Sequence, residues 1–344
     1  MEEQVIEKKD IKSWIEGLFA DYEVYAPVLD EKKGKVYKKV ESTEDINLEF
    51  LNSKNSPKDI YFPQTERLFS FSRKDEMGLI PPHMDDKKKI VFGIRPCDAM
   101  AFTMLDKVFV SGENNDFYFI KRSENTLTIG IGCIKPDSTC FCKVVGGEPS
   151  SEEGLDILLI DTGKEYVAEP VTDKGKSLIE GSSFFKEATP ENIRLKEEAI
   201  TNANEKIQEF DISGLKERLD RGFDLPVWAK IHEKCVGCGI CTFLCPTCHC
   251  FDILDEEGKE YGERIRIWDS CQFPLFTKHA SGANPRPTGK ERMRQRIMHK
   301  FKYFVENNDI FACVGCGRCV KYCPVNLDIR EVLKSLAGDG GGKS

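Results

Sequence analysis

Apolar residues recur along the first half of the chain with two different periods. In residues 10–22, Ile11, Trp14, Ile15 and Leu18 fall on one face of a predicted helix. Short apolar runs predict four strands: YEVYAPV at 22–28, KKIVFGI at 88–94, NTLTIGIGC at 125–133 and LDILLID at 155–161. The stretch DAMAFTMLDKVF follows the second of these runs and predicts a helix over 98–109. Strands that alternate with helices indicate an α/β layer.

The second half of the chain has a different pattern of polar and apolar residues. Residues 189–219 predict one or two polar helices that bridge two domains, and TGKERMRQRIMHKFKYFVEN predicts a further helix. The predicted fold class is therefore mixed, α/β and α+β, with an α/β domain at 1–225 and a helical domain at 226–344. The last residues, AGDGGGKS, match a relaxed phosphate-loop pattern. No helix can follow them to complete such a loop, so they predict a flexible tail.

Composition narrows the class of protein. The formal net charge of -8 speaks against a general nucleic-acid binder. No apolar run is long enough to span a bilayer and the first residues lack the features of a signal peptide, which predicts a cytoplasmic chain without a membrane span. Fifteen cysteines in such a compartment favour metal ligation over disulfides.

Eight of the cysteines form one pattern twice. The first run is Cys235, Cys238, Cys241 and Cys245, followed by Pro246; the second is Cys313, Cys316, Cys319 and Cys323, followed by Pro324. This C-x2-C-x2-C-x3-C-P spacing is the signature of bacterial ferredoxins, in which the fourth cysteine ligates the other cluster. The glycines between the cysteines allow tight turns around sulfur.

That rule predicts two [4Fe–4S] clusters and their ligands. The first cluster would take Cys235, Cys238, Cys241 and Cys323, and the second would take Cys313, Cys316, Cys319 and Cys245. Zinc is the alternative, but zinc sites give no reason for a doubled eight-cysteine pattern with terminal prolines. The domain at 226–344 is thus predicted to be a helical, ferredoxin-like dicluster domain.

A second match competes for one of these cysteines. Cys245, Cys248 and His249 spell C-x-x-C-H, the attachment signature of a c-type haem. One thiolate cannot serve both cofactors, and haem attachment belongs to exported proteins. We therefore expect no haem.

A basic stretch lies between the two runs. Its members are Arg286, Lys290, Arg292, Arg294, Arg296, Lys300 and Lys302. A solvated helix face, compensation of the clusters' negative charge, and a docking patch for an acidic partner are all compatible with it.

Seven cysteines remain outside the two runs. Cys97, Cys133, Cys140 and Cys142 form a complete set of four in the first half, and two of them follow predicted strands. If those strands pair in parallel, the set predicts a third [4Fe–4S] cluster, with buried free thiols as the alternative. Cys248, Cys250 and Cys271 are a second candidate set, which would need to borrow a fourth ligand.

The motifs together resemble a known family. CVGCGICTFLCPTCHCFD, WDSCQF, NPRPTGKERMRQRIMHKF and CVGCGRCVKYCPVNLDI are similar to the iron–sulfur β subunits of cytoplasmic sulfhydrogenases. They are also similar to the iron–sulfur subunit of anaerobic sulfite reductase and to related subunits of flavin oxidoreductases and heterodisulfide reductase. The resemblance implies an electron conduit between a flavin subunit that handles NAD(P)H and a catalytic redox subunit.

Three functions are open at this point. The first is an electron-transfer subunit with no catalytic residue of its own and the flavin on a partner. The second is an enzyme with a flavin or substrate site near Arg95 to Asp98, where a predicted strand ends. The third is a structural or regulatory iron–sulfur protein. Since no dinucleotide or hydrolase motif is present in the sequence, we favour the first.

Overall fold

Two compact units organise the chain, and each is built from separate segments. The computed structural model describes residues 3–50, 52–72, 78–82 and 86–338. Unit 1 comprises Met1–Pro57, Lys87–Phe210 and Cys313–Arg318; unit 2 comprises Lys58–Asp86, Asp211–Ala312 and Cys319–Ser344. The predicted domain boundary after residue 225 stays a prediction. The predicted flexible tail lies largely outside the described residues.

The described residues contain strands and helices in a mixed order, which confirms the predicted fold class. The strands are β1 (Gln4–Glu7), β2 (Glu23–Asp30), β3 (Gly34–Val40), β4 (Thr65–Ser72), β5 (Leu79–Ile80), β6 (Lys89–Ile94), β7 (Thr126–Ile131), β8 (Ile157–Asp161), β9 (Glu165–Pro170), β10 (Lys186–Glu187), β11 (Phe251–Glu257) and β12 (Tyr261–Trp268). The α-helices are α1 (Ile11–Leu18), α2 (Pro96–Phe109), α3 (Phe117–Glu124), α4 (Asp173–Glu180), α5 (Pro190–Glu205), α6 (Leu215–Asp220), α7 (Val227–Glu233), α8 (Ile240–Phe243), α9 (Gly289–Met298), α10 (Phe304–Asn308), α11 (Arg318–Lys321) and α12 (Ile329–Ala337).

Unit 1 contains an eight-stranded sheet in the order β10-β1-β9-β8-β7-β6-β2-β3. Its four central strands, β2, β6, β7 and β8, pair in parallel, and the outer strands pair antiparallel. The residues of β7 are all buried, and β6 and β8 are buried over nearly their whole length. Strands covered on both faces carry continuous apolar runs instead of alternating ones, which explains why the sequence pattern identified the central strands.

The helices of unit 1 follow the predicted apolar faces. Ile11, Trp14 and Ile15 of α1 are buried in the core, and the ring of Trp14 meets Phe185 edge-on with 4.9 Å between ring centroids. Helix α2 follows β6 directly, with Pro96 in its first turn, a position at which the missing N–H of proline costs nothing. The carboxyl end of β6 therefore leads straight into the amino end of a 14-residue helix.

Unit 2 contains a four-stranded antiparallel sheet in the order β11-β12-β4-β5. The prediction of helical structure between the two cysteine runs is therefore incomplete, because it omits the hairpin of β11 and β12. Strand β11 carries four acidic residues and is mostly exposed, so it lacks the apolar signal of a buried strand. Within this sheet Arg266 of β12 forms a buried ion pair with Glu66 of β4.

The helix predicted over 288–307 is confirmed, with one irregular turn. Thr288 and Glu291 form a capping box at the start of α9, and a π-helical turn at His299–Tyr303 connects α9 to α10. Such turns are often found at functional sites. The polar helices predicted over 189–219 are also present, as α5 and α6.

Within unit 1, a buried ion pair fixes the Cys313–Arg318 segment, which carries the first two cysteines of the second run. The guanidinium of Arg318 binds both carboxylate oxygens of Asp98 on α2, with nitrogen–oxygen distances of 2.7 Å. The same guanidinium donates to the carbonyl of Ser53 at 2.9 Å and to the side-chain oxygen of Asn52 at 2.6 Å. The side chains of Arg318 and Asp98 are 2% and 0% exposed, so the two charges depend on each other.

We predict that Asp98→Asn will strongly destabilise the protein. The substitution keeps the shape of the side chain but leaves the buried charge of Arg318 without its carboxylate, which costs on the order of 3 kcal/mol in free energy of unfolding. Anaerobic urea denaturation followed by circular dichroism should show a lower midpoint. Glu198→Gln, which removes an exposed partner of Arg194 on α5, is the control and should leave the midpoint unchanged. Equal midpoints for the two variants would contradict the importance of the buried pair.

Candidate metal centres

The first cysteine run turns tightly around its own sulfur atoms. Gly237 and Gly239 adopt φ values of 67° and 74°, in the left-handed region that glycine tolerates. A Cβ atom on Gly239 would also lie 2.8 Å from the ring of Phe273. The backbone N–H of Gly237 donates to the sulfur of Cys235 at 3.4 Å. Amide hydrogen bonds of this kind stabilise a thiolate and tune a cluster that it holds.

One cavity of unit 2 gathers the predicted ligands of the first cluster. Cys235, Cys238, Cys241 and Cys323 line it together, although Cys323 belongs to the second run. Cys319 lines the same cavity, and most of the remaining lining is apolar, including Met293, Ile297 and Leu327. The N–H of Leu327 donates to the sulfur of Cys323 at 3.2 Å. Four cysteines in an apolar cavity with amide donors to sulfur fit a [4Fe–4S] cluster.

The predicted ligands of the second cluster are divided between the two units. Cys313 and Cys316 belong to unit 1, whereas Cys319 and Cys245 belong to unit 2. Within unit 1, Gly315 and Gly317 again have positive φ values, of 61° and 74°. The assignment of these four cysteines to one cluster stays a prediction from their spacing.

Two cations of the basic stretch are buried against sulfur in unit 2. The ammonium of Lys300 lies 3.4 Å from the sulfur of Cys245 and also donates to Thr247 Oγ1 and to the carbonyl of Ala312. The guanidinium of Arg296 lies 3.8 Å from the sulfur of Cys248. Arg296 and Lys300 are 5% and 4% exposed, so a solvated helix face is the wrong interpretation for these two residues. Their positions fit the compensation of negative charge on sulfur.

The electrostatics of the buried thiols follow from these contacts. A hydrogen bond with Cys248, opposed by burial and assisted by Lys300 and Arg296, lowers the pKa of Cys245. Burial works against the charge of Arg296, but the neighbouring cysteine sulfurs more than offset it, so the pKa of Arg296 stands above its usual value. Buried cations and thiolates thus favour each other's charged forms.

Cys248, Cys250 and Cys271, the second candidate set from the sequence, also belong to unit 2. A hydrogen bond between Cys250 and Cys271, opposed by burial, lowers the pKa of Cys271 to about 6. Cys248 is hydrogen-bonded to Cys245. Cys250 and Cys271 therefore form one pair. Cys248 forms another with Cys245, which is a predicted ligand of the second cluster.

The four cysteines of the first half are brought together in unit 1. Cys97, Cys133, Cys140 and Cys142 line one cavity, and Cys316 of the second run lines it as well. Burial, mainly, raises the pKa values of Cys140 and Cys142 to about 12, so both are neutral thiols unless a metal displaces their protons.

The histidine of the haem-like motif makes contacts with its own chain. His249 Nδ1 lies 3.1 Å from the carbonyl of Thr247, and its ring meets that of His299 at 5.3 Å between centroids. Burial lowers the pKa of His249 to about 4, so the ring is neutral at physiological pH. It therefore adds no charge to the buried cations around Cys245.

Sequence reasoning missed two buried cations. Lys58 is 2% exposed, donates to the carbonyl of Cys248 at 2.8 Å and lies over the ring of Trp268. The burial of Arg318, which lies between Cys316 and Cys319 of the second run, was also not predicted. The position of Arg318 gave no signal of burial, since Lys321 lies between two cysteines of the same run and is exposed. Lys58 sits in an ordinary turn sequence that gives no such signal.

The described part of the chain holds no single-ion site. No three histidine, cysteine or acidic side chains among these residues converge closely enough to hold one metal ion. A cubane differs in its demands, because each of its four irons takes one thiolate and the sulfur ligands stand further apart. None of the helices in the described ranges has the length and apolar character that crossing a bilayer requires.

The fold and the paired cysteine runs define an iron–sulfur protein of the electron-transfer class. In agreement, the model of the 4Fe-4S dicluster domain family matches residues 234–327. Sulfhydrogenase 2 subunit beta of Pyrococcus furiosus is 33% identical over 316 residues, which cover 91% of this chain and 92% of that protein. The chain belongs to the family of sulfhydrogenase β-type iron–sulfur subunits.

We predict that the first cluster depends on a ligand from the second run. Cys323→Ser should remove or alter the electron paramagnetic resonance signal of the cluster held by Cys235, Cys238 and Cys241, because Cys323 lines their cavity. Cys245→Ser is the matched control and should affect the other signal. Loss of only the signal assigned to Cys313, Cys316 and Cys319 in the Cys323→Ser variant would contradict the predicted exchange of ligands.

Proposed function

We propose that this chain is the electron-transfer subunit of a multisubunit anaerobic oxidoreductase. In this proposal it relays electrons between a subunit that binds flavin and NAD(P)H and a catalytic subunit of the hydrogenase, sulfite reductase or heterodisulfide reductase type. The observation that carries it is the cavity of unit 2, in which cysteines from both runs meet in an apolar lining. The name of the relative from Pyrococcus furiosus favours a hydrogenase as the catalytic partner.

The protein's part in this function is to hold and tune the clusters. We assign the first cluster to Cys235, Cys238, Cys241 and Cys323, and the second to Cys313, Cys316, Cys319 and Cys245. When bound, a [4Fe–4S] cluster exchanges one electron at a time. Gly237 supplies an amide donor to sulfur and Lys300 supplies a positive charge, both of which favour the more negative, reduced state.

The alternative of an enzyme with a site at Arg95 to Asp98 has less support. The guanidinium of Arg95 donates to the carbonyls of Ile131 and Gly132 at 3.2 Å and 3.1 Å and lies over the ring of Phe50. Asp98 is bound to Arg318 on both carboxylate oxygens. Side chains that hold the fold together in this way have little capacity left for a substrate.

Anaerobic purification from the native cells tests the proposal. A tagged chain should bring with it both a redox catalyst and a flavin-containing subunit, and the complex should reduce the clusters with NAD(P)H or with the catalyst's own substrate. The chain purified alone should contain iron and sulfide and no flavin, and should not oxidise NAD(P)H. Turnover of NAD(P)H with sulfur or sulfite by the isolated chain would refute an electron-transfer role and favour the enzyme alternative.

We predict that Lys300→Met will lower the reduction potential of one cluster by tens of millivolts. Removal of a buried positive charge 3.4 Å from Cys245 makes the addition of an electron less favourable, and roughly 59 mV corresponds to a tenfold change in the equilibrium constant of a one-electron couple. A redox titration followed by electron paramagnetic resonance measures the shift.

Lys302→Met is the matched control for this variant. Lys302 lies in the same π-helical turn, but its ammonium binds Asp220 and Glu306 instead of sulfur. Its replacement should leave both potentials within experimental error of the unmodified protein. Equal shifts in the two variants would mean that the contact of Lys300 with Cys245 does not tune a cluster.

A further inference from the structure

The parallel pairing of β6 and β7 brings two cysteines to the same edge of the sheet in unit 1. Ile94 at the end of β6 is in register with Gly130 near the end of β7. Cys97 follows β6 by three residues, in the first turn of α2, and Cys133 follows β7 by two. The pairing of these strands was an inference at the level of the sequence, and the register confirms it.

The loop after β7 carries the other two cysteines back over this edge. Residues 132–142 run from the end of β7 to a short 3₁₀ helix at Cys142–Val145. Cys140 and Cys142 are 9% and 8% exposed, and both line the cavity that Cys97 and Cys133 also line. Four thiols from two separate segments of unit 1, the first turn of α2 and the loop after β7, therefore face one enclosed space.

The loop is held in place by the second cysteine run. The N–H of Phe141 donates to the carbonyl of Gly315 at 2.8 Å. A Cβ atom on Gly315 would lie 2.5 Å from the backbone of Cys142, and one on Gly317 would lie 2.4 Å from Thr139 Oγ1. Only glycine permits this approach, so the backbone of the run presses directly on the loop that carries Cys140 and Cys142.

We propose that Cys97, Cys133, Cys140 and Cys142 bind a third [4Fe–4S] cluster. Soft thiolate ligands select iron–sulfur clusters or zinc. Four cysteines that line one enclosed cavity can give one thiolate to each iron of a cubane. Cys316 lines the same cavity but completes the second ferredoxin set by its spacing, and so stays assigned there.

The surroundings of the cavity suit an anionic group. A cubane with four thiolates carries net negative charge, and the cavity lining includes one basic residue, Arg95, and one acidic residue, Glu148. Cys97 sits in the first turn of α2, where the helix dipole and the free N–H groups favour negative charge. Through Cys316, which lines the cavity, the third cluster would extend the electron path into the α/β unit, and in this respect the inference rests on the proposed function.

The iron content of the whole chain tests this proposal directly. Protein purified anaerobically should contain about twelve irons and about twelve sulfides per chain, since each cubane holds four of each. Plasma mass spectrometry gives iron and zinc together. About eight irons per chain in fully loaded protein would overturn the proposal, as would one equivalent of zinc that depends on these cysteines. Either result, with both ferredoxin-type signals present, would leave the proposed function intact.

Two double variants locate the third cluster. Cys140→Ser with Cys142→Ser should lose about four irons and keep both ferredoxin-type resonance signals, at four irons per cubane. The matched control is Cys250→Ser with Cys271→Ser, which replaces a pair of contacting thiols in unit 2 and should keep all the iron. Loss of iron in the control but not in the first variant would place the extra cluster in unit 2 and overturn the assignment.

A folding defect would not obscure the result. If the first double variant loses all its iron, the single variants Cys97→Ser and Cys133→Ser each remove one thiol from a different strand end and should lose the same third cluster. The count on unmodified protein, about eight or about twelve irons at four per cubane, decides whether a third cluster is present, and the variants decide which cysteines hold it.

Discussion

The bidentate contact between Arg318 and Asp98 is the interaction on which much of unit 1 depends. It holds the Cys313–Arg318 segment against the first turns of α2. Because the segment is fixed, Gly315 can approach the backbone of Cys142 within the distance that only glycine allows. The segment that this ion pair anchors thus lies directly against the loop that carries Cys140 and Cys142.

The corresponding feature of unit 2 is a set of buried positive charges. Lys58, Arg296 and Lys300 are all less than one-tenth exposed, and each lies within reach of a cysteine sulfur or of its backbone carbonyl. Buried cations are costly unless an anion is close by. Thiolates, alone or on a cluster, supply that anion. The protein in turn gains positive groups next to the sites whose affinity for electrons depends on charge.

The sequence predicted the parts of this structure whose signal is local. The central strands of the first sheet, helix α2 and the long helix after Thr288 all have apolar runs or caps that identify them without knowledge of the fold. The short strand β1 was missed because it is stabilised by pairing with β9 and β10, which are distant in the sequence. Strand pairing of that kind leaves little trace in a single segment. The acidic strand β11 was missed because it is exposed and has no run of buried apolar residues.

Some features of the candidate sites could likewise be predicted from the sequence, and others could not. The spacing of the cysteine runs was sufficient to predict the meeting of Cys323 with Cys235, Cys238 and Cys241, and strand ends were sufficient to predict that Cys97 and Cys133 lie close together. The burial of Lys300 against Cys245 was not predictable, since a basic helix in a sequence is compatible with an exposed face. The packing of that helix determines which of its basic side chains are buried.

The lining of the cavity in unit 2 has a consequence for biosynthesis. Along the sequence, Cys235 is the first residue of its wall, and Cys323, Pro324 and Ile329 are among the last. The segment from Cys235 to Ile329 has therefore to be synthesised before this cavity can close. A nascent chain that has not reached Cys323 offers three thiols of this set and lacks the fourth. Completion of the ligand set thus waits for the second cysteine run.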